Sequence, residues 1–409
     1  MSMRPLMLGG AQTDFAINWS KTTGFVGALA DVIHKGLSDS GIGLQTVRKL
    51  IQENRIAAFI GNFNAPLFLT QGHLGAFLSE VDPAFNGIPS ARYENACASG
   101  SVAIDTAAAR IRAGDYDVAL VIGVEIMKTK GPAEANDCLS LAADYAGEAK
   151  SVRFYFPRAF GTIAEEVIAR GGPSEQTIMD SLSEISRVNY ANAKENSLAQ
   201  TRAQELDMQM LNKRFGKSFG ERTRYSDCSQ VTDGAAMIVL ARPGFAKGQA
   251  ELAGFGHRTA SISLKNKLDS MRSDPQMFPL TFQAIQECYA RAAVNVDQID
   301  VFETHDCFTI SEYLAISAFG ITKPGEEFKA IESGSIQKKG KTPINPSGGL
   351  IGAGHPVGAS GVRMALDLYK QVTDKAEGTQ VSGAKTGAML NIGGSFASNY
   401  SFVIRRVAE

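Results

Sequence analysis

Along the 409-residue chain, short runs that are apolar throughout alternate with stretches of helical periodicity, and this alternation narrows the accessible folds more than any other feature. The strongest run, Asp117–Val124, carries no polar side chain after its first residue. A strand covered on both faces reads this way, and helices laid on the two sides of a sheet provide that cover. Pro5–Gly9, Ile56–Gly61 and Ala91–Glu94 read as further strands, Phe25–Leu37 as a helix, and Ala98–Arg112 as an Ala-rich helix leading into the strongest strand. Later the same texture returns. Ala235–Leu240, Glu251–Gly256, Ile299–Thr304, Gln380–Ala384, Ala388–Gly393 and Ser398–Arg405 read as strands, with helices near Leu280–Ala292 and Gly358–Val372. The 41 glycines scattered among these runs fit tight strand-to-helix turns. The expected class is α/β, in layers.

Between Lys128 and Thr223 the texture changes to charged, amphipathic helices without apolar strands, Ser174–Asn192 being the clearest. This stretch reads as a mostly helical insertion. The expected organisation is an N-terminal half from 1–127 and 224–246, an inserted segment 128–223, and a C-terminal half 247–409. The two halves echo each other: Ala98-Ser99-Gly100 opens one helix, Ala359-Ser360-Gly361 opens another, and each follows a strand of similar texture. A duplicated α/β half is therefore expected.

Lys+Arg at 41 against Asp+Glu at 42 gives a net charge of −1, which argues against a broad basic face for nucleic acid. No apolar run approaches the roughly 18–20 residues of a membrane helix, and the N-terminus has no signal-peptide core. Five cysteines at irregular spacing, with no CxxC, form neither a disulfide framework nor a zinc ribbon. The C-terminal Val-Ala-Glu is no peroxisomal address, so a cytoplasmic protein of a reducing compartment is expected.

Three segments carry reactive groups. Cys97, in Glu94-Asn95-Ala96-Cys97-Ala98-Ser99-Gly100, sits at a strand-to-helix junction where small neighbours permit a sharp turn. The positive end of a helix dipole beside the thiol favours the thiolate, the physics of a nucleophile elbow; a small core cysteine is the alternative. His355 lies in a loop with six glycines between Gly348 and Gly361, a backbone that turns tightly and approaches something closely. Its imidazole suits proton transfer near neutrality or donation to an oxyanion. Nucleotide readings of this region fail: Gly352, Gly354 and Gly358 miss the dinucleotide spacing, and before Gly340-Lys341-Thr342 a serine, Ser335, stands where a P-loop needs glycine. The third segment, Thr304-His305-Asp306-Cys307-Phe308, follows a strand at its C-terminal end, where α/β sheets place ligand chemistry. A metal is the rival there, but no second ligand cluster completes a site, and none is expected. Cys138, Cys228 and Cys288 read as core or incidental thiols. Leu390–Ser395 ends a strand with glycine N–H groups able to cradle an oxyanion, or simply turns. A cysteine nucleophile, two histidines and a second cysteine together suit acyl transfer through a thioester.

With the Asp227-Cys228-Ser229-Gln230-Val231-Thr232-Asp233-Gly234-Ala235-Ala236 stretch added to the Glu94–Gly100, His305–Phe308 and Gly354-His355-Pro356 segments, the chain resembles the thiolase superfamily over its whole length. The resemblance implies a duplicated α-β-α-β-α layered fold with a helical loop domain over the site. It also implies a coenzyme A thioester substrate, no permanently bound cofactor, and a homodimer or homotetramer. By the same resemblance Cys97 accepts the acyl group, and His355 activates it and donates to a thioester oxyanion. Most thiolases carry a Cys-x-Gly near the C-terminus; Asn391 and Gly393 stand in those places here. His-Asp-Cys-Phe without that cysteine resembles the sterol-carrier-protein type. There Cys307 would serve as acid/base, His305 would help form an oxyanion hole, and Gly393 would lend a backbone donor beside the N–H of Cys97. The implied activity is cleavage of 3-ketoacyl-CoA by CoA or condensation of two acyl-CoA. A decarboxylating condensation like that of β-ketoacyl synthases, transfer to a non-CoA acceptor, and a non-catalytic scaffold are the alternatives. Arg222 and Arg224 are candidates, by charge and position, for the coenzyme A phosphates.

Overall fold

The computed structural model describes residues 3–205 and 222–407. Nine strands form one continuous sheet: β1 (Leu6–Gln12), β2 (Ile56–Gly61), β3 (Ser90–Tyr93), β4 (Val118–Glu125), β5 (Gly234–Ala241), β6 (Ala250–Thr259), β7 (Val301–Thr304), β8 (Thr386–Gly393) and β9 (Ser398–Arg406). Their order, β3-β2-β4-β5-β1-β6-β9-β8-β7, reads almost the same from either end. β1 and β6 join at the centre, with Leu6 opposite Glu251 and Met7 opposite Ala250. Each then pairs antiparallel with β5 or β9 through an irregularity at the same place, between Met7 and Gly9 in one half and Leu252 and Gly254 in the other. Even the outermost position of the second half is marked, by a parallel bridge from Phe302 to Ile344 where the first half has β3. The duplication expected from the tripeptide echo is thus present strand by strand.

The two half-sheets enclose a pair of helices, Ser99–Arg112 and Val357–Val372. Along β4 the side chains alternate: Ala119 and Val121 join the cluster around these helices, while Val118, Leu120, Ile122 and Val124 join a second cluster under the outer helix Gly24–Ser40. A third cluster, beneath the outer helix Pro279–Ala292, closes the other side. Burial on both faces explains why the strands read as apolar throughout. In the Val357–Val372 helix every residue but Lys370 is buried. Glycines set how closely the central helices approach. A Cβ on Gly100 would lie 2.9 Å from the Gly358 oxygen, and one on Gly361 would lie 2.7 Å from the Ser101 nitrogen. Layers run helix, sheet, helices, sheet, helix.

Between 128 and 205 the described residues form the helices Pro132–Ser140, Tyr155–Ala169 and Glu175–Lys194, and no strand; residues 206–221 of the expected insertion lie outside the described residues. Ser174 caps the last helix by accepting from the Thr177 N–H. One expected strand is absent. Gln380–Ala384 forms turns, because the Val381 N–H is taken by the Gln371 side chain at 2.7 Å and Gly383 adopts φ +75°.

Candidate active site

β3 and the Ser99–Arg112 helix meet in a tight elbow at Cys97. Ala96 holds φ +51°, a left-handed conformation costly for a residue with a Cβ. The turn is fixed by its neighbours: the Glu94 carboxylate accepts from the Ala96 N–H at 2.6 Å, and the Ser99 hydroxyl accepts from the Asn95 N–H (2.9 Å) while donating to the Ala96 carbonyl (2.6 Å). The second half repeats the device. The Ser360 hydroxyl bonds the Pro356 carbonyl (3.0 Å) and meets Nδ1 of His355 at 2.7 Å. The backbone of His355 is held by its N–H to the Thr232 hydroxyl at 2.9 Å, and Gly354 before it takes φ +115°. The paired helices therefore present Cys97 and His355 at equivalent ends.

His305 follows β7 and is fully buried; its N–H donates to the Leu390 carbonyl at 2.9 Å. Its ring stands edge-on to that of His355, centroids 5.0 Å apart at 86°. The Cys97 sulfur and one ring nitrogen from each histidine lie within 4.8 Å of one another. The rest of the His305–Phe308 tetrad diverges from these three. The Asp306 carboxylate turns away to accept from the Leu350 and Ile351 N–H groups and the Asn189 amide (2.5, 3.3 and 2.9 Å). Cys307 faces the cavity, its carbonyl accepting from the Ser229 N–H at 2.9 Å.

Cys97, Cys307 and His355 line a cavity of about 400 Å³. Its wall is mostly apolar, built from Met127, Pro132, Leu139, Phe154, Phe156, Phe160, Tyr225, Val231, Phe308 and Val357, with Phe160 and Phe308 stacked at 4.3 Å and Asn136, Ser229 and Gln230 as polar members. Much of that wall comes from residues 128–205 and from the 225–231 stretch.

Burial controls the electrostatics. It pushes the Cys97 thiol up to about 12, against a backbone hydrogen bond from Gly394 that favours the thiolate. The helix end favours the thiolate as well, and desolvation opposes both. Burial, then the nearby Arg363 charge, brings His355 down to about 3, and burial with His355 and Arg363 lowers His305 well below the usual range. Cys307 is raised by burial and by neighbouring Cys97 and Asp306. These shifts favour two neutral imidazoles and two thiols in the resting site.

Several expectations shift. A backbone donor that the sequence did not single out, that of Gly394, where the chain turns with φ +61°, reaches the Cys97 sulfur next to Gly393. Arg224 is buried and spent on Asp227, in a two-pronged pair at 2.8 and 2.7 Å, and on the helix Glu175–Lys194; it cannot reach a phosphate in water. Arg222 pairs with Glu175. Cys228, read as incidental, lines the cavity beside Cys307, in a segment bridged to Phe308. Ser101, Ser360 and the Asn391 side chain were missed as parts of the site. The echoed Ala-Ser-Gly tripeptides were the signal available for Ser360.

Residues 25–176 match the thiolase N-terminal domain family, and residues 262–406 the thiolase C-terminal domain-like family. An acetyl-CoA acetyltransferase of Methanothermobacter thermautotrophicus is 30% identical over 95% of this chain and 96% of its own. Human sterol carrier protein 2 is 29% identical over 75% of this chain, which spans 57% of that protein's length. In fold the chain is similar to an Ltp2–ChsH2(DUF35) aldolase, with a TM-score of 0.78 at 13% identity over 99% of this chain and 98% of that one. Human mitochondrial 3-ketoacyl-CoA thiolase in complex with CoA gives 0.69 at 15%, with the same coverage. Duplicated half-sheets, the elbow cysteine, the two histidines and these likenesses agree: the chain belongs to the thiolase superfamily.

Proposed function

We propose that this protein is an acetyl-CoA C-acyltransferase that cleaves 3-ketoacyl-CoA with CoA and, in reverse, condenses two acyl-CoA molecules. The observation that carries the reading is the convergence of Cys97, His305 and His355 within 4.8 Å beside an apolar cavity that Cys97, His355 and Cys307 line. In cleavage the Cys97 sulfur attacks the 3-keto carbon while its proton passes to His355. The oxyanion is held by donors around the sulfur, among them His305 and the backbone at Gly393–Gly394. The C2–C3 bond then breaks, and the carbanion takes the proton of Cys307, releasing acetyl-CoA. Free CoA gives its thiol proton to Cys307 and attacks the thioester; Cys97 leaves as a thiolate and recovers its proton from His355. Protons balance over the cycle, and no permanently bound cofactor or metal takes part.

The relatives' names support coenzyme A thioesters as substrates. We assign 128–223 as an inserted loop domain, whose described residues 132–160 line the acyl pocket, between halves 1–127 with 224–246 and 247–409. The short edge strand β3, exposed at Ser90 and Ala91, offers a surface for pairing with a second copy, which supports a homodimer, or a homotetramer built from it. A cytoplasmic location belongs to the same proposal; no described helix is long and apolar enough to cross a membrane. The test is thiolysis of acetoacetyl-CoA and longer 3-ketoacyl-CoA esters. Cleavage to acetyl-CoA is expected. Loss of CO2 from malonyl-CoA without thiolysis would replace the reading by a decarboxylating condensation.

A further inference from the structure

We propose that Asn391, held by Ser101, is a positioning residue that fixes His305 in the tautomer with its proton on Nε2, making His305 a hydrogen-bond donor to the reacting oxygen and denying it the role of base. This rests on the thiolase reading for the reaction it serves, while the tautomer itself is a property of the resting protein.

Asn391 is fully buried on β8, at the place where most thiolases carry their second cysteine. Its amide has one orientation that satisfies its surroundings. Nδ2 faces the Cys97 carbonyl at 3.3 Å, which can only accept, and Oδ1 takes the Ser101 hydroxyl at 2.7 Å. The same Nδ2 lies 2.9 Å from Nδ1 of His305. One amide hydrogen goes to the carbonyl and the other to the ring, so Nδ1 must offer a lone pair and the ring proton sits on Nε2. That Nε2 is buried and finds no partner in the protein. An N–H of this kind, left open beside Cys97 and His355, is a donor awaiting an acceptor. Gly361 protects the arrangement: a Cβ there would lie 2.6 Å from both Asn391 Oδ1 and Ser101 Oγ. His355, by contrast, has Nδ1 against a hydroxyl whose hydrogen already serves Pro356, so its Nε2 keeps the lone pair a base requires. The two histidines are set to opposite tautomers by Asn391 and Ser360.

Asn391→Asp inverts the instruction, since a carboxylate accepts from Nδ1–H and leaves Nε2 bare. The ionisable and charged groups around His305 are Cys97 on the elbow, His355 on the glycine loop, Arg363 on the central helix, and Asp306 and Cys307 on its own segment. Histidine-labelled protein, with His305 assigned by comparison with His305→Gln, gives the protonation of each ring nitrogen by 15N NMR without any turnover. The expected result is Nε2–H for His305 in the native protein and Nδ1–H in Asn391→Asp. Thiolysis by Asn391→Asp should fall roughly a hundredfold or more at neutral pH, the loss of one oxyanion donor. It should recover partly as pH falls, because the imidazolium regains Nε2–H, whereas the native enzyme gains nothing there. Nδ1–H in the native protein overturns the proposal, as does an Asn391→Asp enzyme with native turnover or a pH-independent deficit. An inactive native protein with the expected tautomer would instead count against the thiolase reading alone.

Discussion

Arg363 is the charge on which the central helix depends. Its guanidinium is wholly buried, 2.7 Å from Asp367 and 3.4 Å from Glu303, with the Ser347 hydroxyl at 2.8 Å between them. Arg363→Met keeps the length and the burial but strands two carboxyl groups that have almost no access to water. Breaking one side of a buried pair costs about 3–5 kcal/mol, because the remaining charge is uncompensated. The deficit must depend on pH. Burial already raises the Glu303 carboxyl to about 8, and Arg363 works against that rise; without Arg363 the Glu303 carboxyl shifts further upward. A carboxyl whose folded value lies above its unfolded one contributes stability at low pH that is lost as pH rises toward the folded value. Each such group changes stability by up to about 1.4 kcal/mol per pH unit. Native Glu303 itself keeps its proton up to about pH 8, so the variant's shortfall in urea unfolding should be nearly level below about pH 7 and widen from there toward about pH 9.5. Adding Asp367→Asn should return part of it. A shortfall under about 1 kcal/mol, or one flat from about pH 7 to 9.5, would refute the reasoning.

Ala96→Gly should stabilise by roughly 1 kcal/mol by relieving the left-handed backbone at φ +51°, and Ala96→Val should destabilise by more; urea midpoints decide. Gly361→Ala drives a methyl to 2.7 Å from the Ser101 backbone nitrogen, so it should cost about 1–3 kcal/mol in thermal unfolding and lower turnover by separating the central helices. With the Cys97 thiol raised by burial to about 12, alkylation of Cys97 by iodoacetamide should climb about tenfold per pH unit from 7 to 9.5 without levelling. A plateau below pH 8 would mean a resting thiolate, as the helix-end argument alone expects.

The strands were legible because the fold buries both their faces: β4 and β5 have no solvent side to mark with polar residues. Gln380–Ala384 misled for the converse reason, since its apolar residues pack under a helix end whose Gln371 side chain replaces a ladder partner. Cys97 and His355 could be found because each carries its own context, an elbow in one case and a glycine loop in the other. The histidine tautomers could not, since Ser101 and Asn391 meet across 290 residues and nothing local to either announces the contact. Arg224 looked available by its charge, and only its neighbours Asp227 and Ser183 reveal it as spoken for. For Cys97 the sequence shows the helix end, worth a few tenths to about 1 kcal/mol, but not the burial that raises the thiol.

The division of labour between the two cysteines is tested most directly by intact mass after incubation with acetyl-CoA, alongside acetoacetyl-CoA thiolysis, in the native protein, Cys97→Ala and Cys307→Ala. The account predicts one acetyl group on the native protein and on Cys307→Ala, none on Cys97→Ala, and thiolysis in the native protein alone. Acetylation of Cys97→Ala, or native thiolysis by Cys307→Ala, would contradict it.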